Sequence, residues 1–230
     1  MSSRTYLTPC QLTQCQVKES DMKLTIFGAT GGVGANLTSQ AIANGHNVRA
    51  VSRHPDKIHQ SSPLLEKING DVLDLALVKS AIEDADTVFC ALGMPLMNND
   101  RLRTKGTRNI INAMNQTGVK RLICLSGLGA GDSRTLLPAL HRYVLRPTLM
   151  RRLYKDHEAQ EKLVMQSNLD WTLARPGSFV VGSQTGKYHH GFTAKIADLT
   201  FKISREDVAD FMLAQLDSDT YARRAVNLSY

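Results

Sequence analysis

The run KLTIFGATGGVGANL, residues 23–37, constrains this chain more than any other stretch. A short apolar segment, Lys23–Gly28, runs into a glycine cluster. Val33, Leu37 and Ala41 then recur at helical spacing over Val33–Asn44, and Gly45 closes the pattern. Gly28, Gly31 and Gly34 read as GxxGxxG between a strand and a helix. Each glycine has a physical task. Gly28 permits a tight turn, Gly31 lets backbone amides approach a ligand, and Gly34 lets helix and sheet pack closely. The free amides and positive dipole end of a helix start favour an anion, and a pyrophosphate suits that place. No Gly-Lys-Ser/Thr follows, which excludes a Walker-type loop. The competing reading is a glycine-rich turn with packing duties alone.

The same alternation continues. Strands are expected at Asn47–Val51, Lys67–Val72, Thr87–Leu92, Arg121–Leu125, Trp171–Ala174 and Arg224–Leu228. Helices are expected at Leu75–Ile82, Thr104–Thr117 (closed by Gly118), Leu153–Ser167 and Ser204–Leu216, the last capped by Ser204 with Asp207 three positions on. Alternation of this kind predicts an α/β fold: a doubly wound parallel sheet (Rossmann fold) in three layers, α/β/α. Right-handed crossovers then bring the C-terminal strand ends to one crevice. Residues 23–230 are expected to form one NAD(P)-binding domain. Residues 177–202 are expected to be loops and small strands, part of a small C-terminal region covering the substrate. Residues 1–22 are Ser/Thr/Gln-rich and read as a loosely attached extension without the apolar core of a secretory signal.

Composition narrows the classes. With 42% apolar and 21% charged residues the chain is globular in character, and no apolar run approaches the ~20 residues of a membrane span. Four scattered cysteines, Cys10, Cys15, Cys90 and Cys124, form no zinc or disulfide spacing. Cys90 and Cys124 lie in apolar runs, as buried thiols would in a reducing, cytoplasmic setting. The net charge of +7 favours anions, yet the basic residues are not interleaved with aromatics as single-strand binders require. A small-molecule substrate is therefore expected, with no nucleic acid, no membrane and no metal, in a monomer or small homo-oligomer.

The end of the second expected strand chooses the nucleotide. NAD calls for an acidic residue there; this chain has Ser52-Arg53. A guanidinium pairs bidentately with a 2′-phosphate, so NADP(H) is the expected cofactor. A surface arginine beside His54-Pro55 is the other reading. Asp71, in NGDV, is placed to accept from the adenine amino group, or is an ordinary turn aspartate. The expected cofactor contacts are Gly28, Thr30, Gly31, Gly32, Val33 and Gly34 in the loop, Arg53, Asp71 and Val72, and Ala91, Leu92 and Gly93.

In order, GATGGVG, SR, GDV, ALG, LSG and ARPG resemble an atypical short-chain dehydrogenase/reductase. KGTRNIINAM, KDHEAQEKLVMQSNLDW and FMLAQLDSDTYARRAVNLS bring the chain closer to the NADPH-dependent flavin reductase/biliverdin reductase B group, within the NmrA-like superfamily. The resemblance covers Lys23 to Tyr230. Classical members of the superfamily use Tyr-x-x-x-Lys, but here Tyr154 precedes Glu158 and Tyr143 precedes Pro147. A carboxylate beside Tyr154 would disfavour its ionisation. The resemblance places a serine after the fifth strand, Ser126, and a histidine in an Asp-His pair, Asp156-His157. The group's further histidine falls on Ser178. Ser126 is then a donor to the nicotinamide amide or to substrate, and a further cofactor contact. His157 is a second donor, able to supply a proton. Tyr154, His157 and Glu161 share one helix face. The expected catalytic set is Ser126, His157 and Tyr154.

Residues 134–155, RTLLPALHRYVLRPTLMRRLYK, mix leucines with six Lys and Arg residues. They read as a lid over an anionic acceptor or as an ordinary loop and helix start, with Pro138 and Pro147 breaking any long amphipathic helix. The function that the resemblance implies is hydride transfer from NADPH to a planar conjugated acceptor: flavin, quinone or biliverdin-like. The alternatives are a non-catalytic NADP(H) sensor of NmrA type and, more weakly, an epimerase or isomerase.

Overall fold

The structure is a computed structural model; it describes residues 21–93 and 101–230. The extension expected over residues 1–22 lies almost wholly outside them, as do Cys10 and Cys15. In chain order the strands are β1 (Lys23–Phe27), β2 (Asn47–Ser52), β3 (Leu65–Asn69), β4 (Thr87–Cys90), β5 (Arg121–Leu125), β6 (Asp170–Pro176), β7 (Ser178–Val180), β8 (His189–His190), β9 (Lys202–Ser204) and β10 (Arg224–Ser229). The helices are α1 (Gly32–Ala43), α2 (Leu75–Ile82), α3 (Leu102–Thr117), α4 (Arg151–Met165) and α5 (Arg205–Leu213).

Eight strands form the main sheet in the order β3-β2-β1-β4-β5-β6-β10-β8. All neighbours run parallel except β8, which lies antiparallel on β10. The order reverses between β1 and β4, the switch point at which an open α/β sheet leaves a crevice beyond its strand ends.

The strands alternate between two apolar layers because successive side chains point to opposite faces. Leu24, Ile26, Phe89 and Ile123 pack with Leu37 of α1 and Phe211 of α5. Phe27, Val88, Cys90, Leu122 and Cys124 pack with Val78 of α2, Ile110 and Met114 of α3, and Val164 of α4. The expected doubly wound parallel sheet is therefore present, with helices on both faces. Cys90 and Cys124 are free and buried, on paired positions of β4 and β5.

Several boundaries follow local chemistry. Asp74 caps α2, its carboxylate accepting from the Ala76 and Leu77 N–H groups. Ser204 caps α5 by accepting from Asp207 N–H at 3.0 Å. Asp207 in turn accepts from Thr185 and Gly186 N–H, tying the 177–202 excursion to the helix. Within that excursion β7 and β9 pair as a small parallel ribbon.

Some expected boundaries shift. The third strand ends at Asn69 rather than Val72, because Asp71 Oδ1 accepts from Leu73 N–H at 2.9 Å and turns the chain. The fourth helix begins at Arg151 rather than Leu153. A π-helical turn, His141–Leu145, precedes it. The sixth strand continues to Pro176, because β10 pairs with it as far as Leu228.

Candidate active site

The glycine loop is shaped by close approach. Gly28 has φ +85°, and a Cβ there would lie 2.5 Å from the Ala91 carbonyl oxygen. A Cβ on Gly34 would lie 2.2 Å from the Gly28 carbonyl oxygen, so α1 packs on the loop only without one. The first bond leaving the loop into α1 runs from Ala35 N–H to Gly31 O. The N–H groups of Gly32, Val33 and Gly34 thus have no helical acceptor and are free for an anion. These residues offer backbone alone: the Val33 side chain is in the core, and Gly32, though exposed, has the Arg205 side chain where a Cβ would stand.

Beside the loop lies a cavity of about 230 Å³ across the ends of β1 to β4. Among the expected contacts it brings together Gly28, Thr30, Gly31, Arg53, Asp71, Val72, Leu92 and Gly93. Ala91 is not on its wall; it is buried beneath Gly28. Ser52, not among the expected contacts, is part of the wall. Its hydroxyl lies 3.0 Å from Thr30 Oγ1 and accepts from His54 N–H at 3.1 Å, which fixes the start of the Arg53 turn. Its place before Arg53 at a strand end was the available signal. A loop that excludes Cβ atoms, three free amides and an arginine at the second strand end fit a dinucleotide.

A second cavity, about 300 Å³, opens at the ends of β5 and β6. Leu128, Leu137, Pro138, Met150, Phe179 and Phe201 make most of its wall apolar. Ser126, Tyr154 and His157 all line it, as does Ser178. Ser126 therefore belongs to this cavity and not to the wall of the nucleotide cavity.

The roles of these residues differ from those expected. The Ser126 hydroxyl donates to Glu161 Oε1 at 2.6 Å. With its hydrogen on a carboxylate, Ser126 presents only lone pairs to the cavity and accepts rather than donates. Glu161 is itself committed: Arg175 Nε and Nη2 donate to its two oxygens at 2.8 and 2.7 Å. Arg175 is 1% exposed, and its Nη1 also donates to Asp132 Oδ1 at 2.7 Å. Glu161 thus shares the helix face with Tyr154 and His157 but serves as an anchor beneath the cavity.

His157 Nδ1 lies 3.4 Å from Ser126 Oγ. Burial, aided by the Arg103 charge, pulls its pKa down to about 3. The ring is neutral at ordinary pH, so the expected proton supply from an imidazolium does not hold. Nor does Asp156 support it. That carboxylate accepts from Thr104 N–H and Oγ1, at 3.2 and 2.5 Å, and faces Arg103 Nη1 at 3.8 Å. It caps α3 instead.

Burial pushes the Tyr154 phenol up to about 12, against the Arg146 guanidinium, which favours ionisation. The cause is burial and not the carboxylate of Glu158, which pairs with Arg146. Tyr154 Oη lies 3.0 Å from His141 Nε2 and donates to the Leu128 carbonyl at 3.1 Å. His141 also lines the cavity, and burial lowers its pKa. Sequence reasoning missed it as a site residue; its place in the lid-like run 134–155 was the only signal. That run does wall the cavity, through Leu137, Pro138, His141, Met150, Leu153 and Tyr154. Leu140, Tyr143, Val144 and Leu149 face outward.

No helix among the described residues is long and apolar enough to cross a membrane. An uncharacterized protein of Mycobacterium tuberculosis is 35% identical over 107 residues, 46% of this chain; the match spans only 12% of that protein. A Saccharomyces cerevisiae protein is 27% identical over 210 residues, 86% of this chain and 88% of its own. The structure of ChuY from Escherichia coli, described as an anaerobilin reductase, superimposes with a TM-score of 0.74 at 24% identity, over 90% of this chain and 96% of that one. A short-chain dehydrogenase/reductase of Veillonella parvula, solved with NADP, gives 0.77 at 17% identity, over 91% and 94%. At these identities the structures share a fold with this chain. The profile described as NAD(P)H-binding matches residues 28–219, from the first glycine of the loop almost to β10. Loop, cavity and profile agree, and the chain belongs to the NAD(P)H-binding family of oxidoreductase-type Rossmann folds.

Proposed function

We propose that the protein is an NADPH-dependent reductase whose acceptor is planar and conjugated, such as a flavin, a quinone or a biliverdin-like tetrapyrrole. One observation supports the reading: an apolar cavity lies at the ends of β5 and β6, on the same side of the sheet as the glycine-loop cavity at the ends of β1 to β4. That is where a ring stacked against a nicotinamide would lie. ChuY, which shares the fold, is described as an anaerobilin reductase.

The cofactor supplies the hydride when bound. The chain supplies position. Arg53 would pair with the 2′-phosphate, Asp71 with the adenine, and the amides of Gly32 to Gly34 with the pyrophosphate. The apolar wall excludes water and offers flat contacts to the acceptor. The Tyr154 hydroxyl, whose hydrogen lies on the Leu128 carbonyl and whose oxygen accepts from His141, helps to shape the cavity wall. The acceptor gains two electrons and a hydrogen nucleus as hydride, then one proton from water. No tyrosinate is needed, which suits a phenol raised to about 12.

Mixing the protein with NADPH and, in turn, FMN, a quinone and biliverdin tests this reading. Loss of dihydronicotinamide absorbance with at least one acceptor is expected. Tight NADPH binding with no oxidation by any of them overturns it in favour of the sensor. Substrate isomerisation without net cofactor loss points instead to the epimerase.

A further inference from the structure

We propose that Arg205 clamps the cofactor's pyrophosphate and ties it, through Phe179, to the wall of the acceptor cavity. The inference rests on the nucleotide being held by the glycine loop.

Arg205 is the first residue of α5, and its side chain reaches Gly32, the first residue of α1. A Cβ on Gly32 would meet Arg205 Cδ at 2.4 Å and Nε at 2.6 Å. The guanidinium stacks on Phe179, its Cζ 4.9 Å from the ring centroid. Gly32 carries one of the free amides of the phosphate loop, and Phe179 lines the acceptor cavity. Arg205 therefore bridges the two halves of the crevice.

Its electrostatic situation is unbalanced. Among the described residues no carboxylate lies within 4.0 Å of it, and its side chain makes no hydrogen bond. It is half-buried, at the positive end of α5, where a cation is disfavoured. Fully solvated lysines and arginines go unpaired at little cost; a partly desolvated guanidinium at a helix start does not. A dianionic pyrophosphate on the Gly32 amide would supply the missing charge, and an arginine fork suits its oxygens. The Phe179 face holds the guanidinium in place beforehand, which limits the entropy lost on binding. Cofactor binding would then also steady Phe179, and with it one side of the acceptor cavity.

Calorimetric titration of the full chain with NADP⁺, NAD⁺ and adenosine 2′-monophosphate tests the clamp. Arg205→Gln is expected to weaken NADP⁺ and NAD⁺ by a similar factor, about 10- to 100-fold, the range for one charge-assisted contact. Adenosine 2′-monophosphate has no pyrophosphate, so its affinity should stay within about twofold. Phe179→Leu removes the stacking platform and should weaken NADP⁺ by about two- to fivefold while Arg205 is intact. Arg205→Lys should recover part of the loss. Unchanged NADP⁺ affinity in Arg205→Gln overturns the clamp. So does an equal loss for adenosine 2′-monophosphate, which would mean Arg205 supports only the fold. A wild-type chain that binds neither dinucleotide overturns the cofactor assignment itself.

Discussion

Arg53 and Asp71 stand at neighbouring strand ends, and the protein uses them differently. Asp71 spends one oxygen on Leu73 N–H, so it is a turn residue first and keeps one oxygen for an adenine. Arg53 has no carboxylate within 4.0 Å among the described residues, and it faces the nucleotide cavity. Ser52 fixes the backbone immediately before it. On the proposed pairing of Arg53 with the 2′-phosphate, Arg53→Glu replaces a bidentate partner with a repelling charge. NADPH affinity should fall by about 100-fold or more, and NADH affinity by less than about threefold. Paired equilibrium titrations check it, and equal losses would mean that Arg53 does not touch the 2′-phosphate. The contrast with Arg205 is diagnostic: one residue should discriminate between the dinucleotides, the other should not.

Helix α4 holds the acceptor cavity together. Its Tyr154 and His157 face the cavity, its Asp156 caps α3, and its Glu161 pairs with Arg175 of β6 while accepting from Ser126 after β5. One helix thus locks three other elements through buried polar contacts. Such a pair contributes little over a well-packed apolar replacement, but breaking it leaves a buried charge alone. Glu161→Gln should therefore destabilise the protein by about 3–5 kcal/mol in denaturant titrations. Adding Arg175→Met should recover a large part of that loss. If Glu161→Gln costs less than about 1 kcal/mol, the pair does not anchor the helix.

At the scale of the whole molecule, a neutral histidine buried under the site makes global stability depend on pH. His157 has a folded pKa of about 3 against an ordinary 6.5. Between these values the unfolded chain takes up a proton that the folded chain refuses. Its contribution is complete above about pH 6.5 and is lost progressively as pH falls toward 3. Carboxylates lose stabilisation in the acid range too, so the wild-type slope alone is not specific. The difference between wild type and His157→Gln isolates the histidine. The wild type should lose more stability than the variant between pH 7 and pH 5, measured by denaturant unfolding; parallel pH curves would contradict the burial.

Much of this protein was legible from its sequence. Leu75–Ile82 and Arg121–Leu125 are found within the bounds read from their apolar pattern. Gly45 and Gly118 follow the helices they were read as closing, both at positive φ. These signals are local: periodicity, caps and glycine turns act within a few residues, and a phosphate loop is a local device. What local pattern could not show is where long polar side chains end. Ser126 looked like a donor until Glu161, 35 residues away, took its hydrogen. His157 looked titratable until its burial excluded the charged form. Tyr154 found its partner in His141, on a turn that no periodicity announced, and Arg205 reached Gly32 at the start of α1. Sequence by itself determined the sheet, the nucleotide loop and the residues gathered at the crevice, because backbone sterics and apolar periodicity are written locally. Tertiary structure alone decided which of those residues are free to act, because hydrogen bonding and desolvation depend on neighbours that only the folded chain brings together.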